Sequence, residues 1–245
     1  MPFIGKRRVG LFQQGGAASL PPPVTPTILG TPTSFNKITS DGVEFTKVCD
    51  LVVPAGTELL VVTAYTVSAG YPVAFYRVRN GGAPVYLTNY SFTQSHNNIY
   101  YLINPLETGA TDELWVVNGE KNGPFAVMHV WGGYMALDNV DVTGVPIRGE
   151  DHTEDFTADE INLTVPGAAL DLIVDSPGVY VPAVGTVGTP GAGQTKQYYV
   201  QDATLGGNGM ATSVAAGASN PVLWTFVNPP AAVCYRGWSI KAKPA

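Results

Sequence analysis

Cysteine is nearly absent: Cys49 and Cys234 are the only two in 245 residues. Two cysteines exclude a disulfide framework. Both stand in apolar, strand-like contexts near the two ends of the folded region. Terminal strands of a sandwich can be neighbours, which leaves a bridge geometrically open. In a chain without an export signal, buried free thiols are the expectation. Charge is scarce as well, at 13% of residues, about half the usual ~25%. The surface must therefore be dressed with Thr, Asn, Ser, Gln, Gly and Pro, and it suits partial cover by neighbouring molecules, whose contact cores are poor in charge. Basic charge is the scarcer kind. The net charge of −6 argues against wholesale nucleic-acid binding, and Lys6-Arg7-Arg8 is too short for a nucleic-acid arm.

Long apolar runs are missing. No stretch approaches ~18 apolar residues, so no transmembrane helix and no membrane insertion are expected. After Lys6-Arg7-Arg8 the apolar stretch Val9–Phe12 stops at Gln13-Gln14, shorter than the ~7–15-residue core of a signal peptide. Export by that route is not expected.

Catalytic signatures are missing too. Gly188–Thr195 (GTPGAGQT) has the spacing of a phosphate-binding loop, but Gln194 stands where a lysine must reach the phosphates, and no helix follows. A Gly-rich loop is the reading. His96, His129 and His152 are widely separated, with no HExxH or CxxC partner. His129 reads as a packed core histidine. There is no G-x-S-x-G elbow. The cluster Glu150-Asp151-His152-Thr153-Glu154-Asp155 offers carboxylate oxygens to a hard cation, so Glu150, Asp151, Glu154 and Asp155 are weak calcium candidates. It lacks the EF-hand pattern and reads first as a solvated acidic loop. The expectation is a non-enzymatic protein without cofactors.

What is present is strand material. Gly 28 and Pro 20 make up about a fifth of the chain, which fits many short strands and tight turns and falls short of the ~25–30% typical of disorder. The stretch Asn98–Gly133 holds three apolar runs, Ile99–Ile103, Leu114–Val117 and Phe125–Trp131, separated by Asn-Pro, Asn-Gly and Gly-Pro punctuation. It predicts three consecutive antiparallel core strands. Pro72–Arg79 and Pro84–Tyr90, split by Asn80-Gly81-Gly82, predict a hairpin with Tyr76, Val78, Tyr86 and Tyr90 as cross-strand partners. Tyr71, Tyr76, Tyr86, Tyr90 and Tyr180 lie near turns, where rings can pack, stack on sugars or bury in an interface. Lys196–Asp202, Met210–Ala215, Val222–Val227 and Ala231–Lys241 are the closing strands.

Leu137–Glu160 holds eight of the 19 acidic residues against one Arg148. It reads as a long connection between two halves. Beyond it, Leu163, Val165, Pro166, Leu172, Ile173 and Val174 repeat Leu51, Val53, Pro54, Leu60, Val61 and Val62 without gaps, suggesting two halves with a common strand-turn-strand plan. No amphipathic helix is evident. The fold class expected is all-β, a jelly-roll-like antiparallel β-sandwich over residues 36–245. Residues 1–35, with Pro21-Pro22-Pro23 and scattered apolar anchors, read as an extended N-terminal arm, either disordered or ordered against a partner.

The segments GTELLVV (Gly56–Val62), IYYLINPLETGATDELWVV (Ile99–Val117) and VLWTF…AAVCYRGWSI (Val222–Ile240) resemble a jelly-roll β-sandwich domain of minor virion proteins in tailed bacteriophages and prophages. The likeness spans roughly Thr39–Lys241 and leaves the arm unassigned. It implies a non-enzymatic virion structural protein: a head decoration, vertex spike, head fibre or tail-fibre module. Such a protein would be assembled in the host cytoplasm and would aid host attachment. The implied partners are further copies of the chain, as a trimer or pentamer, and the major capsid or other virion proteins, docked through Phe3, Ile4, Arg7, Arg8, Leu11 and Phe12 of the arm. The alternative is a lectin-like module for a host surface glycan. A polysaccharide-degrading enzyme ranks third, for want of an acid/base constellation.

Overall fold

The computed structural model describes residues 22–39, 44–67, 74–90, 96–105, 112–117, 127–155, 159–180, 188–202, 208–217, 220–227 and 232–245. Their first half forms β1 (Thr27–Ile38), β2 (Phe45–Asp50), β3 (Leu59–Val67), β4 (Ala74–Arg79), β5 (Val85–Tyr86), β6 (Thr88–Asn89), β7 (Asn97–Ile103), β8 (Asp112–Val117) and β9 (His129–Asp138). The second half forms β10 (Ile147–Asp155), β11 (Glu160–Leu163), β12 (Leu172–Tyr180), β13 (Gly188–Pro190), β14 (Gln194–Gln201), β15 (Gly209–Ala216), β16 (Val222–Phe226) and β17 (Ala232–Ile240).

Four antiparallel sheets result, and they come in two successive pairs. The first pair has the orders β1-β9-β3-β7-β6 and β2-β8-β4-β5. The second has the orders β10-β17-β12-β15-β14 and β11-β16-β13. Most consecutive strands pass from one sheet of a pair to the other, a winding that β14 and β15 interrupt by pairing within one sheet. The all-β sandwich is as expected, but the stretch 36–245 holds two windings in series. The three runs around Asn98–Gly133 also need correction. They are core strands, yet β7 and β9 flank β3 while β8 lies in the opposite sheet between β2 and β4. The last run starts later, at His129, and continues to Asp138. Gly132-Gly133 lies within the strand. A Cβ at Gly132 would sit 2.7 Å from Phe35 Cζ and one at Gly133 2.5 Å from Tyr198 Cζ, so the two glycines admit aromatic rings against both faces of the sheet.

The sheets stack in four layers around three apolar strata. Leu60, Val62, Phe75, Tyr100, Leu114 and Val116 fill the first sandwich. Ile161, Leu163, Ile173, Trp224, Phe226 and Tyr235 fill the second. Between the two five-stranded sheets lie Leu59, Val61, Met135, Leu137, Leu172, Val174, Trp238 and Ile240. Strand β3 therefore serves two cores. Its residues alternate faces, as pleated backbone requires, and all of Leu59–Thr66 are buried. This explains a run of apolar residues with no polar alternation. Each aliphatic side chain buried in the middle stratum contributes about 1.5–3 kcal/mol over exposure. The stratum also carries a polar seam. Thr63 Oγ1 shares hydrogen bonds with Tyr198 OH and with Thr212 Oγ1 at 3.0 Å. Asn97 Nδ2 donates to the Ser176 and Cys234 carbonyls at 2.5 and 3.2 Å.

Two expectations for connecting segments change. The acidic stretch is not a long connection: β9 runs to Asp138, residues 139–146 link the halves, and Ile147–Asp155 is edge strand β10, paired with β17. The arm boundary at Phe35 falls inside β1, which pairs with β9 from Thr27 onward. Phe35 is buried against Phe75, ring centroids 6.0 Å apart. Pro22–Phe35 therefore belongs to the folded body. The hairpin expected at Asn80-Gly81 forms, with Gly82 N donating to Arg79 O at 2.8 Å. Positive φ values of 49° and 70° at Asn80 and Gly81 give the turn the hand that suits twisted strands.

Candidate functional site

Of the arm residues Phe3, Ile4, Arg7, Arg8, Leu11 and Phe12, all lie outside the described residues. The segment after them does not. Val24 bridges Lys243, and Val140 bridges Ala242. Glu58 Oε2 accepts from Val140 N at 2.8 Å, and its Oε1 pairs with Lys243. Lys243 N donates to Asn139 O at 2.9 Å. The entry to β1, the link between halves and the residues after β17 are thus fastened at one end of the stack. A buried carboxylate completes the clasp. Asp171 accepts from Arg148 Nε at 2.6 Å, Ala168 N at 2.8 Å, Ser239 Oγ at 2.9 Å and Ala242 N at 3.1 Å. Burial pushes its pKa up, but these donors outweigh burial and hold it below the usual range.

Of the calcium candidates, the side chains of Glu150 and Asp151 are described. Glu150 Oε2 accepts from Trp238 Nε1 at 3.2 Å and lies 3.7 Å from Arg236 Nη1. Asp151 Oδ2 accepts from Thr164 N at 3.0 Å. Glu150 and Asp151 are successive residues of β10 and point to opposite faces of the strand. The side chains of Glu154 and Asp155 lie outside the described residues. Among the described residues no group of three or more His, Cys, Asp or Glu could hold a metal ion. None of the described helices is long and apolar enough to cross a membrane.

Cys49 and Cys234 are not joined in a disulfide and are half-buried, and burial pushes the Cys49 thiol up to about 12, far from a reactive thiolate. His129 stacks on Trp131 at 5.8 Å, and burial lowers its pKa. His96 Nδ1 lies 2.9 Å from Thr66 O. The Gly-rich segment 188–195 contributes β13 and a turn into β14, not a helix.

Sequence reading missed Asp175, which is fully buried in the second core. Its Oδ1 accepts from Trp224 Nε1 at 2.5 Å and Tyr235 OH at 3.2 Å. Its Oδ2 accepts from Ser213 Oγ at 2.6 Å and Gln194 Nε2 at 3.1 Å. Burial raises its pKa to about 6, against the opposing hydrogen bonds. Four donors and no solvent access make it a core fastener rather than an acid poised for substrate. Gln194 also explains itself here: it links the Asp175 carboxylate to Leu223 N, at 2.8 Å from its Oε1.

The outer face of β2-β8-β4-β5 is different. Lys47, Trp115, Tyr76 and Tyr86 stand in register across all four strands. Tyr76 stacks on Trp115, centroids 6.2 Å apart and planes 22° apart. It meets Tyr86 at 5.6 Å and Phe45 edge-on at 5.8 Å. Tyr86 is 56% exposed and Phe45 44%. Lys47 pairs with Glu113 at 2.6 Å and Asp50 at 2.8 Å, and Glu113 Oε2 accepts from Trp115 Nε1 at 2.9 Å. Tyr76 is itself buried beneath its neighbours, so Phe45, Tyr86 and Trp115 are the rings that this face offers for stacking on a ring or burying in an interface. Of the other turn tyrosines, Tyr90 packs against the middle stratum and Tyr180 ends β12 exposed. Tyr71 lies outside the described residues. Trp115 was overlooked because Leu114–Val117 reads as an apolar run, although Glu113, Trp115 and Val117 all face outward on β8.

No protein-family model, curated protein or solved structure matches the chain.

Proposed function

We propose that the protein is a non-enzymatic structural component of a bacteriophage particle. In this reading it decorates or projects from the capsid or tail, docks through its N-terminal arm and assembles with copies of itself. The observation that supports this is the one-ended clasp: the chain enters β1 beside the residues that follow β17, with Val24 bridged to Lys243. An arm leaving from that end can be held by a partner while the opposite strand ends face away. The buried carboxylates are consistent with a structural role, since Asp171 and Asp175 are committed to internal donors. The test is mass spectrometry of purified particles whose genome encodes the chain, with and without residues 1–21. The full chain should be present and the shortened one lost, though still folded. Retention of the shortened chain would remove the arm from the docking role.

A second reading is carried by the aromatic row. Phe45, Tyr86 and Trp115, packed around the buried Tyr76, form a surface that can stack on sugar rings, as a glycan-binding module for cell attachment requires. A glycan array with the intact protein and a Tyr86→Ala variant tests it. A blank array would count against it.

A further inference from the structure

Pro22 and Pro23 precede β1, lie outside any strand and are exposed, and Val24 after them is exposed although its backbone is bridged to Lys243. They continue the run Pro21-Pro22-Pro23. A proline run has no N–H groups and a fixed φ, so it favours the polyproline form, with its rings outward and its carbonyls without internal partners. The outer face of β2-β8-β4-β5 offers the complementary chemistry. Phe45 and Tyr86 are exposed there, and Trp115 reaches the surface between their strands. Phe45 stands at 89° to the buried Tyr76 and Tyr86 at 45° to it, so the exposed rings enclose notches rather than share a plane. Trp115 Nε1, Glu113 and Lys47 are engaged with one another. The Tyr86 hydroxyl has no hydrogen-bond partner among the described residues.

Inclined rings with one available donor suit a polyproline segment, whose pyrrolidine rings enter between aromatic rings and whose carbonyls accept. A sugar would bring several hydroxyls to satisfy. Charge agrees: Lys47 is shared by Asp50 and Glu113 at the margin of the face, and the segment that runs into the prolines carries Lys6-Arg7-Arg8. The prolines cannot reach the face of their own molecule. Val24 is held to Lys243, just beyond β17 of an inner sheet. Two residues span at most about 7 Å, less than the ~10 Å between stacked sheets. We propose that Pro22 and Pro23 of one copy dock on Phe45, Trp115 and Tyr86 of the next, with the Tyr86 hydroxyl donating to a carbonyl of the proline run. The two patches differ, so the contact is head-to-tail and either closes into a ring or continues as a filament. It rests on the reading that copies of the chain assemble with one another.

Trp131, Trp224 and Trp238 are fully buried, so a change of tryptophan emission on adding a ligand reports on Trp115. The full chain is titrated with acetyl-Leu-Pro-Pro-Pro-Val-amide, with its counterpart carrying three alanines, and with cellobiose. The proline peptide should change the emission, and the alanine peptide should bind about tenfold more weakly or worse. Tyr86→Phe keeps the exposed ring and the fold and removes the hydroxyl. It should weaken the proline peptide about fivefold, the loss of one neutral hydrogen bond. Light scattering of the native chain should give a multiple of 25.8 kDa that falls towards one chain in excess proline peptide. No emission change at millimolar proline peptide, equal binding of the alanine peptide, undiminished binding to Tyr86→Phe, a mass of one chain up to millimolar concentration, or a response to cellobiose alone would each overturn the proposal. A silent peptide with the chain present in purified particles fails this contact alone. Peptide binding with the chain absent from them fails the particle reading alone.

Discussion

Tyr65 and Gly178 meet across the middle stratum. The tyrosine ring occupies the space that a side chain at position 178 would need, with Cε2 and Cγ each 2.7 Å from the place of a Cβ. Tyr65 is almost fully buried and also packs on Trp131 at 5.9 Å, so the ring has little room to retreat. Gly178→Ala should destabilise the protein by at least the 1–3 kcal/mol of ordinary overpacking, read as a lowered urea midpoint. Adding Tyr65→Ala should recover part of the loss, because the two positions are in contact. Additive losses would mean the clash is not the cause.

Asp175 makes stability depend on pH in an unusual direction. Its folded pKa of about 6 lies above the ordinary 3.8, so the folded state holds the proton more tightly. Its favourable contribution is complete below about 3.8 and is lost as pH rises through 6. Two units correspond to roughly 3 kcal/mol. Urea unfolding of the native chain and of Asp175→Asn at pH 7.5 and 4.5 isolates this group, since all other titrations are common to both. The native chain should gain on the variant at the lower pH. A difference independent of pH would contradict the account.

Asp171 works the other way. Its depressed pKa means that its contribution is present above 3.8 and disappears as pH falls through the folded value. Asp171→Ala strands the amides of Ala168 and Ala242 and the hydroxyl of Ser239. It should cost about 3 kcal/mol, with little of that from Arg148, which is half exposed. Hydrogen exchange at the Ala242 amide should accelerate in the variant well before the core opens.

The aromatic row separates binding from folding. Tyr86 is mostly exposed, so Tyr86→Ala should change stability by no more than about 0.5 kcal/mol. If the row is a contact surface, the same substitution should remove ligand-induced quenching of Trp115 fluorescence.

Much of the architecture was legible because turn residues and short apolar runs are local signals. The closing strands and the Asn80-Gly81 hairpin follow from them. The repeat was legible too, but not its register. Leu51, Val53, Leu163 and Val165 face their own sandwich cores at an offset of 112. After the turn that offset pairs Leu60, in the first core, with Leu172, in the middle stratum. An offset of 113 restores the match: Leu59 with Leu172, Leu60 with Ile173, Val61 with Val174 and Thr63 with Ser176. The turn from Pro166 to Leu172 is therefore one residue longer than that from Pro54 to Leu59. A one-residue slip exchanges the two faces of a strand, and where both faces are apolar the slip leaves no trace in hydropathy. The clasp and the Asp175 cluster were hidden for another reason. Their members meet only through pairing between strands distant in sequence.

Stacking the two five-stranded sheets leaves the outer sheets as the broad faces still open, and those faces are unlike. One presents Phe45, Trp115, Tyr86 and Val117. The other presents Glu160, Asn162, Thr189, Leu223 and Thr225. A molecule built from two similar windings is therefore two-sided, with one side rich in aromatic rings and one side rich in polar residues. Any neighbour that lies flat on it will meet a defined side, and the chain carries an orientation into whatever it joins.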